Sequence, residues 1–344
     1  MKRVVLGLSG GVDSSDAARR LLGEGWEVQG VWLDLGFGSP EPAERTAREL
    51  GISFRVLPVG EEHEKLVRTP FGEAYRAGLT PNPCAICNPR VKIPSLLRAA
   101  EDWGAEKIAT GHYARTDTGP DGRVRLLASG GRKDQSYMLA LLSQAQLGRL
   151  ILPLAGLEKP EVKSSAASAG LGAAGEKESQ DICFIPEGDY GAWLEARGLG
   201  LPEGDFVDGA GRVLGRHKGL HRYTIGQRRG LGVSAESRLY VGELRGETTE
   251  VLLCTREELL TREVLVRDVN WVSVEAQNAP FPAEVKLRSG PSRSAAEAEP
   301  REDGSLLLRF RDPVRRPAPG QLGVGYAGDV LLFGGTVAKW SGAC

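Results

Sequence analysis

The sequence predicts an α/β domain built on a parallel sheet, then a small central domain and a C-terminal antiparallel β-barrel. Three observations carry this expectation. Apolar runs alternate with helical patterns over the first hundred residues, the rhythm of βαβ units. A basic stretch punctuated by glycine, Gly215–Gly232, occupies the middle of the chain. From Leu265 onward, short apolar runs separated by turns replace the helices. A length of 344 residues suits two or three domains. Their boundaries read as 1–188, 189–262 and 263–344.

Val4–Leu8, Val28–Leu33 and Phe54–Val59 read as buried strands. Helical patterns run over Ala17–Leu22, Pro42–Leu50, Glu61–Val67, Pro94–Trp103 and Lys159–Leu171. Between the first strand and first helix lies Leu8-Ser9-Gly10-Gly11-Val12-Asp13-Ser14-Ser15. Adjacent glycines permit a tight turn, and the serines can cap the helix. Such a loop aims free N–H groups and the positive helix end at one point, which is an anion site with phosphate as its usual occupant. It lacks the Gly-Lys-Ser/Thr ending of a Walker A loop. Two adjacent glycines alone favour an ordinary turn; the whole octapeptide after a strand favours phosphate.

Ala77–Lys92, with three prolines and two cysteines, breaks the periodicity and reads as an irregular segment holding its cysteines in place. Lys107–Ala109 is a short strand ending in Thr110-Gly111-His112-Tyr113, on the same rim as the first loop. Gly131–Tyr137 precedes an apolar helix, Met138–Leu142, with Asp134 as its cap and Arg132 and Lys133 facing solvent or phosphate. Cys183 sits among apolar neighbours and, taken alone, reads as a buried structural cysteine. Arg216–Arg229 is dense enough in Arg, Lys and His to suit a phosphate backbone. Ala283–Arg288 alternates as a half-buried strand does.

The formal charge of −1 gives no global basic character, so any nucleic-acid surface is local. The five cysteines are Cys84, Cys87, Cys183, Cys254 and Cys344. Met1-Lys2-Arg3 runs straight into a strand, and no apolar run reaches ~18 residues. The expectation is a cytoplasmic chain without membrane contact, whose cysteines serve chemistry or packing rather than a disulfide framework.

Set side by side, several passages resemble the tRNA-specific 2-thiouridylases of MnmA type, within the pyrophosphatase-loop ATPases. They are Gly7–Ser15, Asn82-Pro83-Cys84 with Cys87-Asn88 and Lys92, Ala109–Arg115, Lys133–Tyr137, Asp181–Ile185 and Thr224–Gly232. The resemblance covers nearly the whole chain and implies an α/β domain of adenine-nucleotide α-hydrolase type. It further implies thiolation of a wobble uridine in tRNA, with ATP consumed to AMP and pyrophosphate. By resemblance, ATP is held by Gly7, Leu8, Ser9, Gly10, Gly11, Val12, Asp13, Ser14, Leu33 and Gly111, and Asp13 is the candidate ligand for Mg²⁺. The target base stands beside Asn82, Pro83 and Cys84, and tRNA meets His112, Lys133, Asp134, Gln135, Arg288, Ser289 and Gln321. Cys183 carries a persulfide delivered by a sulfur-carrier protein or a cysteine desulfurase. Cys87 is its partner, either as acid/base or as the thiol that ends disulfide-bonded to Cys183.

Many relatives have Asp, a candidate general base, where this chain has Cys84. The substitution creates Cys84-x-x-Cys87 which, with Cys183, offers three thiolates to a [4Fe–4S] cluster or, more weakly, to zinc. The cluster-free persulfide route stands ahead of both. Cys254 and Cys344 match no motif. An adenylating ligase acting on a small molecule leaves Asp181–Ile185 and Thr224–Gly232 unexplained. A tRNA-binding protein without catalysis leaves the intact Ser9–Ser15, Cys87 and Cys183 unexplained.

Overall fold

The computed structural model describes residues 2–175, 182–185, 188–235 and 237–339; residues 178–181 of the Cys183 passage and Cys344 lie outside the described residues. The first seven strands are β1 (Arg3–Gly7), β2 (Glu27–Asp34), β3 (Ser53–Pro58), β4 (Lys107–Ala109), β5 (Arg115–Thr118), β6 (Val124–Leu127) and β7 (Leu150–Ile151). All but β5 and β6 form one parallel sheet in the order β3-β2-β1-β4-β7. Val4, Val5 and Leu6 of β1 are buried on both faces, hence a continuous apolar run rather than an alternating one. Helix α1 (Val12–Gly23) follows β1, and α2 (Glu41–Leu50) follows β2. The chain leaves β1 toward β2 and β3 on one side and places β4 on the other. The carboxyl ends of β1 and β4 therefore flank the point where strand order reverses, where ligands of such sheets sit.

The Ala77–Lys92 passage departs from expectation. Pro83–Cys87 is α-helix, Asn88–Lys92 is one π turn, and Ile93–Trp103 is α-helix again. Pro83, Pro89 and Pro94 all fall in the opening positions of these pieces, where a missing N–H costs nothing. Glu61–Val67 likewise belongs to a longer succession, Gly60–His63, a π turn Glu64–Arg68 and Thr69–Arg76. The apolar Met138–Leu142 passage holds only the end of a 3₁₀ turn, Ser136–Leu139.

The central unit is a four-stranded sheet of β8 (Gly204–Val207), β9 (Val213–His217), β10 (Tyr240–Arg245) and β11 (Glu250–Cys254), ordered β10-β11-β8-β9. Phe206, Tyr223, Val241 and Val251 fill its core. The remaining strands are β12 (Leu260–Trp271), β13 (Phe281–Lys286), β14 (Ser294–Pro300), β15 (Leu306–Arg315), β16 (Leu322–Ala327) and β17 (Val330–Val337). They close into a barrel because β12 pairs with both β15 and β17. The hairpin β5–β6, though part of the first 188 residues, extends this barrel sheet through Leu127 and Val330. Two four-residue strands are too short to show a pattern in sequence.

Polar bonds weld the α/β unit to the barrel. The Tyr137 hydroxyl donates to the Leu322 carbonyl at 3.0 Å, and Asn270 donates to the Ala140 and Leu142 carbonyls at 3.1 and 2.9 Å. Lys286, on the polar side of an alternating strand, is not solvated; it is 3 % exposed and pairs with Asp134 at 2.6 Å. Burial pushes the Asp134 carboxyl up, but Lys286 and Ser136 outweigh it and hold it below its ordinary value. The native value being the lower one, the pair contributes fully above about pH 4 and loses its contribution as pH falls through the native value. Lys286→Met strands a buried carboxylate, and the expected loss is about 3–5 kcal/mol in urea unfolding at pH 7. A loss below about 1 kcal/mol would show that water, not Lys286, carries that charge.

Candidate active site

The phosphate loop is built by backbone crowding. Gly10 has φ +81°, and a Cβ there would stand 2.5 Å from Pro42 Cβ and 2.6 Å from the Ala43 nitrogen. Gly11 is the N-cap of α1 and offers no side chain to the helix's first N–H groups, so they stay available to a ligand. The Ser14 hydroxyl accepts from the Ser9 N–H at 3.2 Å and donates to the Gly11 carbonyl at 3.0 Å, which closes the loop on itself. Gly111, after β4, lies against the same helix end: a Cβ there would meet the Asp13 carbonyl carbon at 2.9 Å and the Ser14 nitrogen at 3.0 Å. The two loops form one rim, with Leu8 buried beneath it and Leu33 half-buried at the end of β2.

Asp13 points into a ring of donors. Its carboxylate meets Lys159 at 2.6 Å, the Tyr113 hydroxyl at 2.6 Å and Lys133 at 3.2 Å. Burial raises its carboxyl, but these three partners together hold it below the ordinary value. Two ammonium groups beside a helix N-terminus make this rim strongly anion-attracting. Tyr113 stands on the rim where the sequence put it, whereas Lys159 carries no local sequence signal for this role and reads only as the start of a helix.

The cysteines form the second half. Asn82 caps the short helix that carries Cys84 and Cys87, accepting from the Ala85 N–H at 3.3 Å, and Asn88 donates to the Met138 carbonyl at 3.0 Å. Cys87 is buried, Cys84 is half-buried and Cys183 is exposed, which corrects the sequence expectation of a buried Cys183. Its neighbours Phe184 and Ile185 take the burial instead, in a cluster with Phe71, Tyr75 and Cys87. His63, 1 % exposed, packs edge-on against Phe37 and Phe184, and burial, with Arg68 and Lys92, lowers it to about 4, so it is neutral. Burial raises the Cys87 thiol to about 11; Lys92 opposes the rise while Cys183 and Cys84 add to it. Burial is also the largest influence raising Cys183, with Lys92 opposing, and its exposure to solvent moderates the effect. The fold thus packs the Cys183 segment, through Phe184 and Ile185, against Cys87 of the helix that also carries Cys84. Among the described residues, no three of His, Cys, Asp and Glu are grouped so as to hold a metal ion.

His112 joins the two halves. Its Nδ1 lies 2.8 Å from the Thr110 hydroxyl. Burial, Lys92 and Lys133 lower it to about 3 against the opposing pull of Asp13, so it is a neutral hydrogen-bonding group.

A cleft of about 920 Å³ lies away from the phosphate loop, where all three units meet. Arg288, Gln321, Arg229 and Arg315 line it. Gln321 donates to the Thr80 carbonyl at 2.8 Å, two residues before Asn82, and so ties the barrel to the cysteine helix. Gly226 makes room for the Arg315 guanidinium, whose Nη2 would lie 2.8 Å from a Cβ there. Burial and the neighbouring Arg288, Arg256 and Arg228 lower Arg315, although Tyr240 opposes them. Such mutual repulsion marks a local concentration of positive charge. The structure divides the basic stretch: His217 accepts from the Gly219 N–H at 3.1 Å, and Arg222 pairs with Glu195 at 2.7 Å, so both serve the fold. Lys133 and Gln135 stay on the rim of the phosphate loop, where Gln135 accepts from the Tyr113 N–H at 3.0 Å. Asp134 turns to Lys286. No helix among the described residues is long and apolar enough to cross a membrane.

A nucleotide-binding α/β domain with paired cysteines at its rim and two β domains behind it defines the class. Family models match in the same order: a tRNA methyl transferase HUP domain over residues 2–187, a tRNA methyl transferase PRC-barrel domain over 196–255 and an aminomethyltransferase β-barrel domain over 261–337. Proteins named tRNA-specific 2-thiouridylase MnmA are similar over almost the full length. That of Koribacter versatilis is 40% identical, covering 97% of this chain and 98% of its own. Those of Geobacter metallireducens and Chlorobium luteolum are each 42% identical, covering 98% of this chain and 96% of their own. The chain belongs to the tRNA-specific 2-thiouridylase (MnmA) family.

Proposed function

We propose that this chain 2-thiolates the wobble uridine of tRNA, using ATP to activate the base and a persulfide on Cys183 to supply sulfur. The observation that carries this reading is the junction at His112, which feels both Asp13 of the phosphate loop and Lys92 of the cysteine cluster. An activating site and a sulfur site share one rim. The phrase methyl transferase in two family-model descriptions names a different reaction; a methyl donor needs no phosphate loop beside paired cysteines.

A carbonyl oxygen is a poor leaving group. The uridine oxygen therefore attacks the α-phosphorus of ATP, and pyrophosphate leaves with the broken bond's electron pair. The loop amides from Gly10 to Ser14 and the N-terminus of α1 stabilise the charge that develops. Mg²⁺ would be held by Asp13 together with phosphate oxygens, and would neutralise the departing pyrophosphate. The terminal persulfide sulfur then attacks carbon 2 of the uridine, and the carbon–oxygen bond breaks with its pair going to AMP. The Cys87 thiolate attacks the Cys183 sulfur, the bond to the transferred sulfur breaks, and that sulfur keeps the pair as 2-thiouridine. The resulting Cys87–Cys183 disulfide is reduced by an external dithiol. A persulfide-bearing carrier protein or desulfurase reloads the exposed Cys183. The alternative on the same three thiols, a [4Fe–4S] cluster held by Cys84, Cys87 and Cys183, is separated from this route by iron and acid-labile sulfide assay after anaerobic purification; a stoichiometric cluster needed for turnover would overturn the persulfide-only scheme.

The units, which we bound at 1–188, 189–262 and 263–344, divide the work. The first does chemistry, and the other two offer the arginine-lined cleft to the tRNA backbone, with Arg288, Ser289 and Gln321 on the barrel side. The target base enters beside Asn82, Pro83 and Cys84, out of the anticodon stack. We place the reaction in the cytoplasm. The direct test is mass spectrometry of tRNA nucleosides after incubation with ATP, Mg²⁺ and either sulfide or a persulfide donor. The expected product is 2-thiouridine with AMP formed alongside; its absence with every donor would overturn the reading.

A further inference from the structure

We propose that the buried Lys286–Asp134 pair positions Lys133 on the phosphate rim, so that the barrel sets the geometry of the ATP site. This rests on the ATP-activation half of the reading above. The tripeptide Lys133-Asp134-Gln135 lies between the two bodies, and its side chains alternate in direction. Lys133 reaches Asp13 at 3.2 Å and stands 4.7 Å from the centre of the Tyr113 ring. Gln135 holds the Tyr113 backbone twice: its side chain accepts from the N–H at 3.0 Å, and its own N–H donates to the carbonyl at 2.8 Å. Tyr113 in turn donates its hydroxyl to Asp13 at 2.6 Å. Asp134, between these two, faces the barrel.

The two oxygens of Asp134 have separate tasks. Oδ1 organises the turn, accepting from the Ser129 N–H at 3.1 Å and the Ser136 N–H at 3.2 Å. Oδ2 ties the turn to the barrel, accepting from the Lys286 ammonium at 2.6 Å. Tyr326 of β16 backs the tie. Its ring centre lies 5.5 Å from that ammonium, and its hydroxyl lies 3.0 Å from Ser136 Oγ. Ser136 and Tyr326 are fully buried, so water competes little for these bonds. A buried ion pair adds little net stability over apolar packing of the same volume, and its best attested use is to select one arrangement. The arrangement selected here runs in one line from Lys286 to Asp134, and from the adjoining Lys133 to Asp13. With the tie cut, the turn keeps its bonds to Ser129 and Ser136 but loses its charged anchor on β13. Lys133 then moves with the turn, away from the place where phosphate binds.

Lys286→Met alone strands the Asp134 carboxylate, so the test cuts the tie with Lys286→Met and Asp134→Asn together. The asparagine oxygen still accepts from Ser129 and Ser136, and neither charge of the pair is left behind. Rates are counted per folded chain and read as tRNA-dependent ATP–pyrophosphate exchange. The pair variant is expected to lose about 30-fold or more in kcat/KM for ATP, while KM for tRNA stays within about 3-fold. Lys133→Met, which leaves the pair intact, is expected to show a loss of the same size. Adding it to the pair variant should cost less than about 3-fold more, because the pair acts through Lys133. A pair that served stability alone would give losses that multiply. ATP kinetics within about 3-fold of wild type in either variant, multiplying losses, or a change confined to KM for tRNA would each overturn the proposal. Should the wild-type chain show no exchange, the activation reading falls by itself. Equilibrium binding of ATP then decides, expected about 10-fold weaker in the pair variant; equal affinity, or no binding by the wild type, would overturn the positioning role.

Discussion

A Cys183→Ser chain is expected to form no measurable 2-thiouridine, a loss of at least about 1,000-fold, while its tRNA-dependent ATP–pyrophosphate exchange stays near wild type. The expectation rests on where the residue stands. Cys183 itself is exposed, and the anchoring of its segment is done by Phe184 and Ile185, which are 7 % and 3 % exposed. Serine removes the sulfur and disturbs none of that packing. A hydroxyl cannot carry a persulfide, so no sulfur reaches the activated base. Adenylation uses the loop at Ser9–Ser15, in the other half of the site, and continues. Cys87→Ser differs in kind, because the Cys87 side chain is part of the aromatic cluster and its loss also alters packing. Full thiolation by Cys183→Ser would remove the persulfide from this cysteine, and loss of exchange would show that the two halves are not separable.

The parts of this site that were legible in sequence are those in which neighbours along the chain are also neighbours in space. Ser9–Ser15 is one turn, and its meaning survives without a fold. Cys183 shows the opposite case. Its apolar neighbours suggest burial, yet those neighbours are buried so that the cysteine need not be. Prolines at positions 83 and 89 suggest irregular chain, but each opens a helical piece, where proline is compatible with the geometry. The Lys159–Asp13 pair joins residues 146 apart in the chain, and no local pattern announces it. Lys286 reads as solvated because alternation reports which face of a strand is polar, not whether another domain covers that face. The basic stretch is divided by the fold: His217 and Arg222 bond within it, while Arg229 joins Arg288 and Arg315 of the barrel in the lining of the cleft.

Gly10→Ala is expected to lower kcat/KM for ATP at least about 100-fold, and two effects add to give that size. The first is conformational. At φ +81° an alanine pays about 1–2 kcal/mol for the left-handed region. The second is steric, and it fixes the direction of the damage. The new methyl would stand 2.5 Å from Pro42 Cβ and 2.6 Å from the Ala43 nitrogen and Pro42 carbonyl carbon. These atoms belong to the first turn of α2, whose Ala43 is fully buried, so α2 cannot yield and the loop must. A displaced loop carries its N–H groups away from where the α-phosphate is attacked. Misplacement of about 1 Å at such a point costs on the order of 100-fold in rate. Gly23→Ala is the matched control: nothing lies within 4 Å of a Cβ there, and the residue ends α1 without positive φ. It should leave ATP kinetics unchanged and raise stability by up to about 1 kcal/mol. Wild-type ATP kinetics in Gly10→Ala would mean that the phosphates do not sit on this loop. Phosphate binding would then have to be sought at the Lys133 and Lys159 side of the rim alone.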